Sequence, residues 1–246
     1  MAHEGMVIVT GGSRGIGAAV CRKLAALGHA VAVNYTERAE KAEAVADGIR
    51  KAGGRALAVK ADVAEEGEIV AMFEKASREL GPLGGLVNNA GLGGDLLRFE
   101  DYPAAALERL LRVNVLGTML CAREAVRRLS TRLGGKGGSI VNLSSVAART
   151  GGFPGLSPYA ATKGAVESFT KGLATAVAQE GIRVNAVAPG MTATDMLPQA
   201  MRETAGTGIP MGRIGAPEEI AEAIAWLISP ASSYVTGSIM TVSGGR

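Results

Sequence analysis

The sequence has few of the residues that build disulfide frameworks or metal sites. The chain of 246 residues contains two cysteines and two histidines. Cys21 and Cys121 lie inside predicted helices, with no metal-ligating side chains near them in the sequence. Such isolated thiols are expected to be buried and reduced, which suits a reducing compartment. We therefore expect no metal site, no disulfide and a cytoplasmic location.

The sequence also lacks the features of membrane and nucleic-acid-binding proteins. No run of 18 apolar residues is present, and the N-terminus lacks the cationic segment and apolar core of a signal peptide. The 26 basic and 23 acidic residues leave a net charge of only +3. Aromatic residues make up 4% of the chain, too few to interleave with the basic run at 123–136 as a nucleic-acid surface would need. We expect neither a membrane nor a nucleic acid as partner, and we interpret the basic run as a solvated helix face.

Glycine, by contrast, is abundant, and it follows short apolar runs. The chain has 35 glycines, about twice the ordinary share of roughly 7%. Seven apolar runs alternate with helical patterns, and strands that are apolar throughout fit a sheet covered on both faces. This alternation predicts an α/β fold, a doubly wound Rossmann sheet of about seven parallel strands. Because no linker or repeat interrupts the chain, residues 1–246 are expected to form a single NAD(P)-binding domain.

The predicted elements cover most of the chain. The strands are expected at 6–10, 30–34, 55–60, 85–88, 138–143, 182–187 and 238–242. The helices are expected at 15–27, 39–52, 65–80, 102–133, 158–179 and 217–228, with a break near Pro103 in the fourth.

A glycine-rich turn, Thr10-Gly-Gly-Ser-Arg-Gly-Ile-Gly17, connects the first predicted strand to the first helix. Gly11, Gly15 and Gly17 would permit a tight turn and a close approach of the backbone to a pyrophosphate. The N–H groups of the following helix would face that anion. The spacing differs from the standard Gly-x-Gly-x2-Gly, so a purely structural turn stays open, but the strand-turn-helix context favours a dinucleotide.

The end of the second predicted strand indicates which dinucleotide is bound. An enzyme that uses NAD commonly has a carboxylate there for the ribose 2′-hydroxyl. This chain has Asn34-Tyr35-Thr36 instead, and Glu37 comes later. Arg14 and Arg38 would suit a 2′-phosphate, because a guanidinium binds phosphate well. NADP(H) is therefore favoured over NAD(H), with Arg14 as a merely solvated loop residue being the alternative.

Tyr159 and Lys163 are four residues apart, so they share one face of a predicted helix. A phenol has an unperturbed pKa of about 10, and a neighbouring cation favours the phenolate and lowers that pKa. Ser145, which precedes Tyr159 by 14 residues, could hold a carbonyl oxygen against the phenol. Together these side chains predict carbonyl reduction or alcohol oxidation.

These motifs resemble those of the classical short-chain dehydrogenase/reductase family, almost from end to end. The markers are the glycine-rich turn, Asp62-Val63, Asn88-Asn-Ala-Gly91, Asn114, Ser145, Tyr159-Ala-Ala-Thr-Lys163 and Pro189-Gly190. Val33-Asn-Tyr35 and Tyr234-Val-Thr-Gly237 are most similar to the 3-oxoacyl-carrier-protein reductase and glucose dehydrogenase-like branch.

The resemblance implies a catalytic set. Tyr159 would be the general acid/base, and Lys163 would lower its pKa and hold the nicotinamide ribose. Ser145 would position the substrate oxygen, with Ser144 as the alternative. Asn114 would support a water relay to Lys163, or would merely satisfy buried backbone groups. Members of the family are often homotetramers joined by the two long helices and the last strand.

The resemblance also implies most of the cofactor contacts. Asp62 and Val63 would face the adenine, although Asp62 could be only a helix cap, and residues 89–91 would lie beside the adenine ribose. Residues 189–194 would flank the nicotinamide. The whole expected set is Gly11, Ser13, Arg14, Gly15, Ile16, Gly17, Asn34, Tyr35, Thr36, Arg38, Asp62, Val63, Asn89, Ala90, Gly91, Tyr159, Lys163, Pro189, Gly190, Thr192 and Thr194.

The substrate is less well defined by the sequence. In the family the tyrosine commonly follows the serine by 13 positions, against 14 here, so the loop 149–157 carries one extra residue. Residues 191–215 have little pattern and are expected to form a lid over the substrate, or else an ordinary surface loop. A small carbonyl or alcohol is expected, such as a keto-acyl thioester, a sugar lactol, a steroid-like alcohol or a xenobiotic ketone. A non-catalytic NADP-binding regulator is the alternative, disfavoured because Ser145, Tyr159 and Lys163 are all present.

Overall fold

The computed structural model describes residues 5–195 and 205–246. Their strands form one parallel sheet in the order β3-β2-β1-β4-β5-β6-β7. The strands are β1 (Met6–Val9), β2 (Ala30–Tyr35), β3 (Ala56–Lys60), β4 (Leu83–Asn88), β5 (Gly138–Leu143), β6 (Ile182–Pro189) and β7 (Ile239–Val242). The predicted doubly wound parallel sheet is confirmed, and each strand lies within a few residues of its expected position.

Helices cover both faces of the sheet. They are α1 (Gly15–Ala26), α2 (Ala39–Lys51), α3 (Glu66–Leu80), α4 (Ala104–Leu111), α5 (Thr118–Leu129), α6 (Ala147–Thr150), α7 (Ser157–Val177) and α8 (Pro217–Ile228). Of the helices in the described residues, α6 was not predicted; it occupies the loop between β5 and α7. None of them is both long and apolar enough to cross a membrane.

The strands are apolar throughout because each face of the sheet packs against its own hydrophobic core. In β1, Val7 and Val9 belong to the core formed with α1, α2 and α8, whereas Met6 and Ile8 belong to the core formed with α3 and α5. Side chains alternate between the two faces of a strand, so burial on both faces requires a continuous apolar run. The two cores hold the carboxyl ends of the strands in one plane, where the loops of the site begin.

The helix predicted at 102–133 differs in the structure. It begins at Ala104 after Pro103, changes to a π-helical turn at Arg112–Gly117, and continues as α5. Gly117 packs directly against the backbone of Val63, the residue after Asp62. A Cβ at Gly117 would lie only 2.6 Å from the carbonyl oxygen of Val63. π-Helical turns inside α-helices are frequently found at functional sites.

The two ends of the predicted lid are joined to each other. Ala193 N donates to the carbonyl oxygen of Gly215, and Gly215 N donates to that of Met191, both at 2.9 Å. Residues 196–204 of that segment, including Met196, lie outside the described residues. The expectation of a lid at 191–215 therefore stays a prediction.

Candidate active site

A cavity of about 520 Å³ opens at the carboxyl ends of the strands. It runs from the glycine-rich turn after β1, past the end of β4, to Ser145 after β5 and Tyr159 in α7. β1 lies between β2 and β4. The strands β2 and β3 extend the sheet on one side of β1, and the strands β4 to β7 extend it on the other, so the strand order reverses between β1 and β4. Ligands of doubly wound folds bind in the crevice at such a switch point.

The cavity brings together most of the residues that the sequence nominated. Of the expected set, those that line it are Gly11, Ser13, Arg14, Gly15, Ile16, Tyr35, Thr36, Arg38, Asp62, Val63, Asn89, Ala90, Gly91, Ser145, Tyr159, Lys163, Pro189, Gly190, Thr192 and Thr194. Within the described part of the chain, Gly17, Asn34 and Asn114 lie behind the cavity wall rather than in it.

The glycine-rich turn has the geometry that an anion needs. Gly11 and Gly15 have φ angles of 62° and 52°, in the left-handed region that favours glycine. A Cβ on Gly17 would lie 2.3 Å from the carbonyl oxygen of Gly11, so this glycine permits the close packing of turn and helix. Arg14 is the residue that precedes α1, and no side chain accepts a hydrogen bond from the first N–H groups of this helix at that position. These N–H groups are therefore left for a ligand. These features fit the pyrophosphate of a dinucleotide.

Asn34, expected as a cofactor contact, has a different position. Its side chain is buried, and its Oδ1 accepts a hydrogen bond of 3.1 Å from Gly11 N. Its Nδ2 donates to the carbonyl oxygens of Val59 and Ala61 at 3.3 and 3.0 Å. This side chain points into the sheet end and fixes the glycine-rich turn, so it does not line the cavity where a cofactor contact was expected. Tyr35 and Thr36, which follow it, reach the cavity instead.

Asp62 both caps a turn and lines the cavity. Ala64 N donates to its Oδ1 at 2.9 Å, and Arg109 Nη2 lies 3.0 Å from its Oδ2. The two interpretations of this residue are therefore compatible, because one carboxylate oxygen holds the turn and the side chain still borders the cavity.

At the other end of the cavity, Ser145 and Tyr159 meet. The Ser145 hydroxyl lies near enough to the Tyr159 phenol to lower its pKa, and it accepts a hydrogen bond from Ala147 N at 3.2 Å. Ser144, the alternative, is buried, and its hydroxyl donates to Glu167 Oε1 at 3.0 Å. Of the two adjacent serines, Ser145 is thus the one that lies near the phenol.

Lys163 lies beside Tyr159 but makes its hydrogen bond elsewhere. Its buried Nζ donates to the carbonyl oxygen of Leu143 at 2.7 Å and lies 5.7 Å from the centroid of the Tyr159 ring. Burial lowers the pKa of Lys163 to about 8. Burial also raises the pKa of Tyr159, and the hydroxyl of Ser145 only partly opposes this. The pKa of Tyr159 is therefore raised by burial, not lowered by the lysine as expected.

Asn114 anchors the loop that follows β4. Its Oδ1 accepts from Leu92 N at 2.8 Å, and its Nδ2 donates to the Leu92 carbonyl oxygen at 2.9 Å and to Thr162 Oγ1 at 3.0 Å. A Cβ on Gly91 would lie 3.3 Å from Asn114 Oδ1 and 3.6 Å from Lys163 Nζ. The asparagine side chain therefore satisfies backbone groups, as in the second interpretation, close to the lysine ammonium.

Two loops close the end of the cavity beyond Tyr159. A Cβ on Gly155 would lie 3.1 Å from Leu96 Cα, so the loops pack backbone against backbone. The Tyr102 hydroxyl lies within hydrogen-bonding distance of the carbonyl oxygens of Asp95 and Gly155. Phe153, Leu156 and Leu96 give this end an apolar wall, with the Arg246 guanidinium 4.8 Å from the Phe153 ring centroid.

Comparison with known proteins decides the family. A family model described as enoyl-(acyl carrier protein) reductase matches residues 11–246. The chain belongs to the short-chain dehydrogenase/reductase family. As a short-chain dehydrogenase/reductase it is an oxidoreductase, and its sheet, its glycine-rich turn and its Tyr-x3-Lys pair are those of the resemblance stated above.

This short-chain dehydrogenase/reductase has curated relatives of nearly the same length. It is 41% identical to the cis-4-hydroxycyclohexanecarboxylate dehydrogenase of Sinomonas cyclohexanicum, over 98% of this chain and 96% of that protein. It is 39% identical to the 3-oxoacyl-[acyl-carrier-protein] reductase FabG of Staphylococcus aureus, over 97% and 96%. A short-chain dehydrogenase of Burkholderia cenocepacia, solved in complex with NADP, superimposes with a TM-score of 0.91 at 35% identity, covering 98% of this chain and 97% of that one.

Several residues of this short-chain dehydrogenase/reductase line the cavity without having been singled out as ligands from the sequence. They are Glu37, Leu92, Arg109, Val113, Leu143 and Asp195. Asp195 forms an ion pair with Arg14, and Arg109 with Asp62, across separations of 181 and 47 residues. Pairs so distant in the sequence leave no local pattern from which they could be found.

Proposed function

We propose that this short-chain dehydrogenase/reductase interconverts a carbonyl and a secondary alcohol with NADP(H) as its cofactor. The observation that carries the proposal is the placement of the Tyr159 phenol, which borders the cavity together with Ser145 and Lys163 and whose pKa is raised by burial. A protonated acid beside a second hydroxyl suits the reduction of a carbonyl, whose oxygen must gain a proton.

The proposed mechanism assigns a task to each side chain. The substrate oxygen lies between the hydroxyls of Ser145 and Tyr159, and NADPH supplies the hydride to the carbonyl carbon when it is bound. Tyr159 gives its proton to the oxygen, and the resulting phenolate is stabilised by the hydroxyl of Ser145 and the ammonium of Lys163. In the oxidative direction the same phenolate accepts the proton of the alcohol.

The choice of NADP(H) rests on the charges at the far end of the cavity. Arg14 and Arg38 line it there, and the residue at the end of β2 is Tyr35, not a carboxylate. A guanidinium is the side chain best suited to a 2′-phosphate. The NADP complex of the Burkholderia cenocepacia protein supports the same choice.

The nature of the substrate is supported by the apolar wall and by the names of two relatives. Leu96, Phe153 and Leu156 favour a substrate with a hydrophobic body. One relative is named for a hydroxylated cyclohexane acid and the other for a 3-oxoacyl thioester. Both names describe a secondary alcohol or a ketone, which is the substrate class proposed for this enzyme.

A substrate panel tests the proposal. Purified protein is incubated with ketones, 3-oxoacyl and enoyl thioesters and cyclic alcohols, each with NADPH and NADH or their oxidised forms, and nicotinamide absorbance is followed. We expect ketone reduction that depends on NADPH. Reduction of enoyl substrates alone would overturn the carbonyl assignment. Tight cofactor binding without turnover on any member of the panel would favour the regulator.

We further propose that the enzyme works as a cytoplasmic homotetramer. Leu111 and Leu116 are exposed along the α4–α5 rod, and β7 is an edge strand of the described sheet. Exposed leucines and an open sheet edge are the surfaces that subunit contacts cover. Light scattering coupled to gel filtration measures the subunit number, and a monomer would contradict this proposal.

A further inference from the structure

An ion-pair cluster spans the cavity at its adenosine end. Asp195 Oδ2 lies 3.4 Å from Arg14 Nη1 and 3.8 Å from Lys41 Nζ. Arg14 belongs to the glycine-rich turn, Lys41 to the first turn of α2, and Asp195 follows β6. Three separate elements thus place one carboxylate between two cations.

A carboxylate and a phosphate compete for the same donors. Both accept hydrogen bonds from a guanidinium in similar geometry. Arg14 borders the cavity next to Tyr35 and Thr36, where the ribose 2′ position is expected. In the protein described here, the donor proposed for the 2′-phosphate already has a carboxylate partner of the protein itself.

We infer that Asp195 is a cofactor-specificity residue, whose carboxylate competes with the 2′-phosphate for Arg14 and so weakens the preference for NADP(H). This inference rests on the proposed function. The Asp195 side chain is 53% exposed, and an exposed ion pair is weak, so a phosphate that carries more charge can displace it. NADH has a hydroxyl in place of the phosphate and does not require this displacement.

The inference predicts a selective gain. Asp195→Asn removes the competing charge and keeps the size of the side chain. We expect it to tighten NADPH binding by about two- to fivefold, the range that an exposed ion pair can supply, and to leave NADH binding unchanged. The affinity for the fragment 2′,5′-ADP should increase as the affinity for NADPH does, and the affinity for 5′-ADP should stay unchanged as that for NADH does, because the two fragments differ only in the 2′-phosphate.

The test is a double-mutant cycle read by binding alone. Dissociation constants of the four ligands are measured by cofactor fluorescence and calorimetry for the parent, Asp195→Asn, Arg14→Ala and the double variant. The gain from Asp195→Asn should disappear in the Arg14→Ala background, because the two residues act through each other. Asp47→Asn is the matched control, since it makes the same charge change in an exposed ion pair on α2, with Arg50.

The outcomes separate this inference from the proposed function. If the parent prefers NADPH but Asp195→Asn changes nothing, or tightens NADH equally, the inference is wrong and the proposed cofactor stands. A gain that persists without Arg14, or that Asp47→Asn reproduces, also overturns it. If the parent binds NADH as tightly as NADPH and 2′,5′-ADP no better than 5′-ADP, the proposed cofactor choice fails as well.

Discussion

The sheet of this enzyme carries a cavity at each end of its strands. The cavity at the carboxyl ends, of about 520 Å³, contains Ser145, Tyr159 and Lys163. The cavity at the amino ends, of about 680 Å³, contains a similar trio of Ser139, Arg183 and Tyr234. A serine, a tyrosine and a cation are therefore present in both cavities, and the larger cavity is not the one proposed for catalysis.

The two trios differ in what their polar atoms bond to. Arg183 donates to Ser232 Oγ at 2.8 Å and to the carbonyl oxygens of Ile228 and Ser229 at 3.4 and 3.2 Å. Ser139 donates to the carbonyl oxygen of Leu227 at 2.8 Å. These bonds complete the backbone around the end of α8. At the carboxyl ends, the Tyr159 phenol and the Ser145 hydroxyl instead lie near each other at the cavity wall, where a ligand can bond to both. The two cavities are therefore distinguished by whether their polar side chains are already used in hydrogen bonds to the backbone, and not by their volumes.

The largest effect is expected from the tyrosines. Tyr159→Phe should lower turnover by about 10²–10⁴-fold, the usual contribution of a general acid or base, and should leave cofactor binding nearly unchanged. Tyr234→Phe removes the same atom from the fully exposed tyrosine of the other cavity and should leave turnover unchanged. Steady-state kinetics and cofactor titration on both variants measure this. Near-normal turnover of Tyr159→Phe would remove the proposed proton carrier.

The serines should separate chemistry from stability. Ser145→Ala should lower turnover by about one to two decades, since a hydrogen bond to a developing charge contributes roughly 1.5–3 kcal/mol. Ser139→Ala should leave turnover intact and lower the free energy of unfolding by about 1–3 kcal/mol, because the Leu227 carbonyl loses a buried donor. Kinetics and urea unfolding on both variants test the pair. If Ser139→Ala lowered turnover as much as Ser145→Ala, the cavity at the amino ends of the strands would not be purely structural.

The two cations are compared by their effects on stability rather than on turnover, and these effects should have opposite signs. Burial lowers the pKa of Lys163 from 10.5 to about 8. Between these values the unfolded chain binds more protons than the folded one, so the stability of the cofactor-free parent should rise with pH across this window. At pH 7, where the buried charge is present, Lys163→Met should raise the free energy of unfolding by about 3 kcal/mol. This gain should vanish above about pH 10.5, where the lysine is neutral in both states.

Arg183→Met is the matched variant for Lys163→Met. It should lower the free energy of unfolding by about 1–3 kcal/mol, because several oxygen acceptors lose their donor at once. Urea titrations at pH 7 and above pH 10.5, without cofactor, compare the two. A Lys163→Met protein that is less stable than the parent at pH 7 would show that the hydrogen bond to Leu143 outweighs the burial of the charge.

The sequence predicted what depends on local pattern. The strands followed from apolar runs, and the glycine-rich turn followed from a backbone that only glycine adopts easily, as at Gly11 and Gly15. The direction of each side chain at the end of a strand could not be predicted from this pattern. Asn34 and Tyr35 are adjacent, as are Ser144 and Ser145, and in each pair the first residue is buried while the second is partly exposed at the cavity. Register decides such pairs, and a shift of one residue exchanges them.

The rod formed by α4, the π turn at Arg112–Gly117 and α5 is sensitive to its length wherever it is a regular α-helix. Each residue of an α-helix turns the chain by about 100°. Deleting one residue from the first turn of α5 would rotate everything after it by that angle, moving the buried Cys121, Ala125 and Leu129 away from the core. Replacing a side chain on the exposed face of the rod changes one contact, whereas removing a residue shifts an entire surface. We therefore expect variants of this enzyme to tolerate substitutions on that face far better than insertions or deletions within the rod.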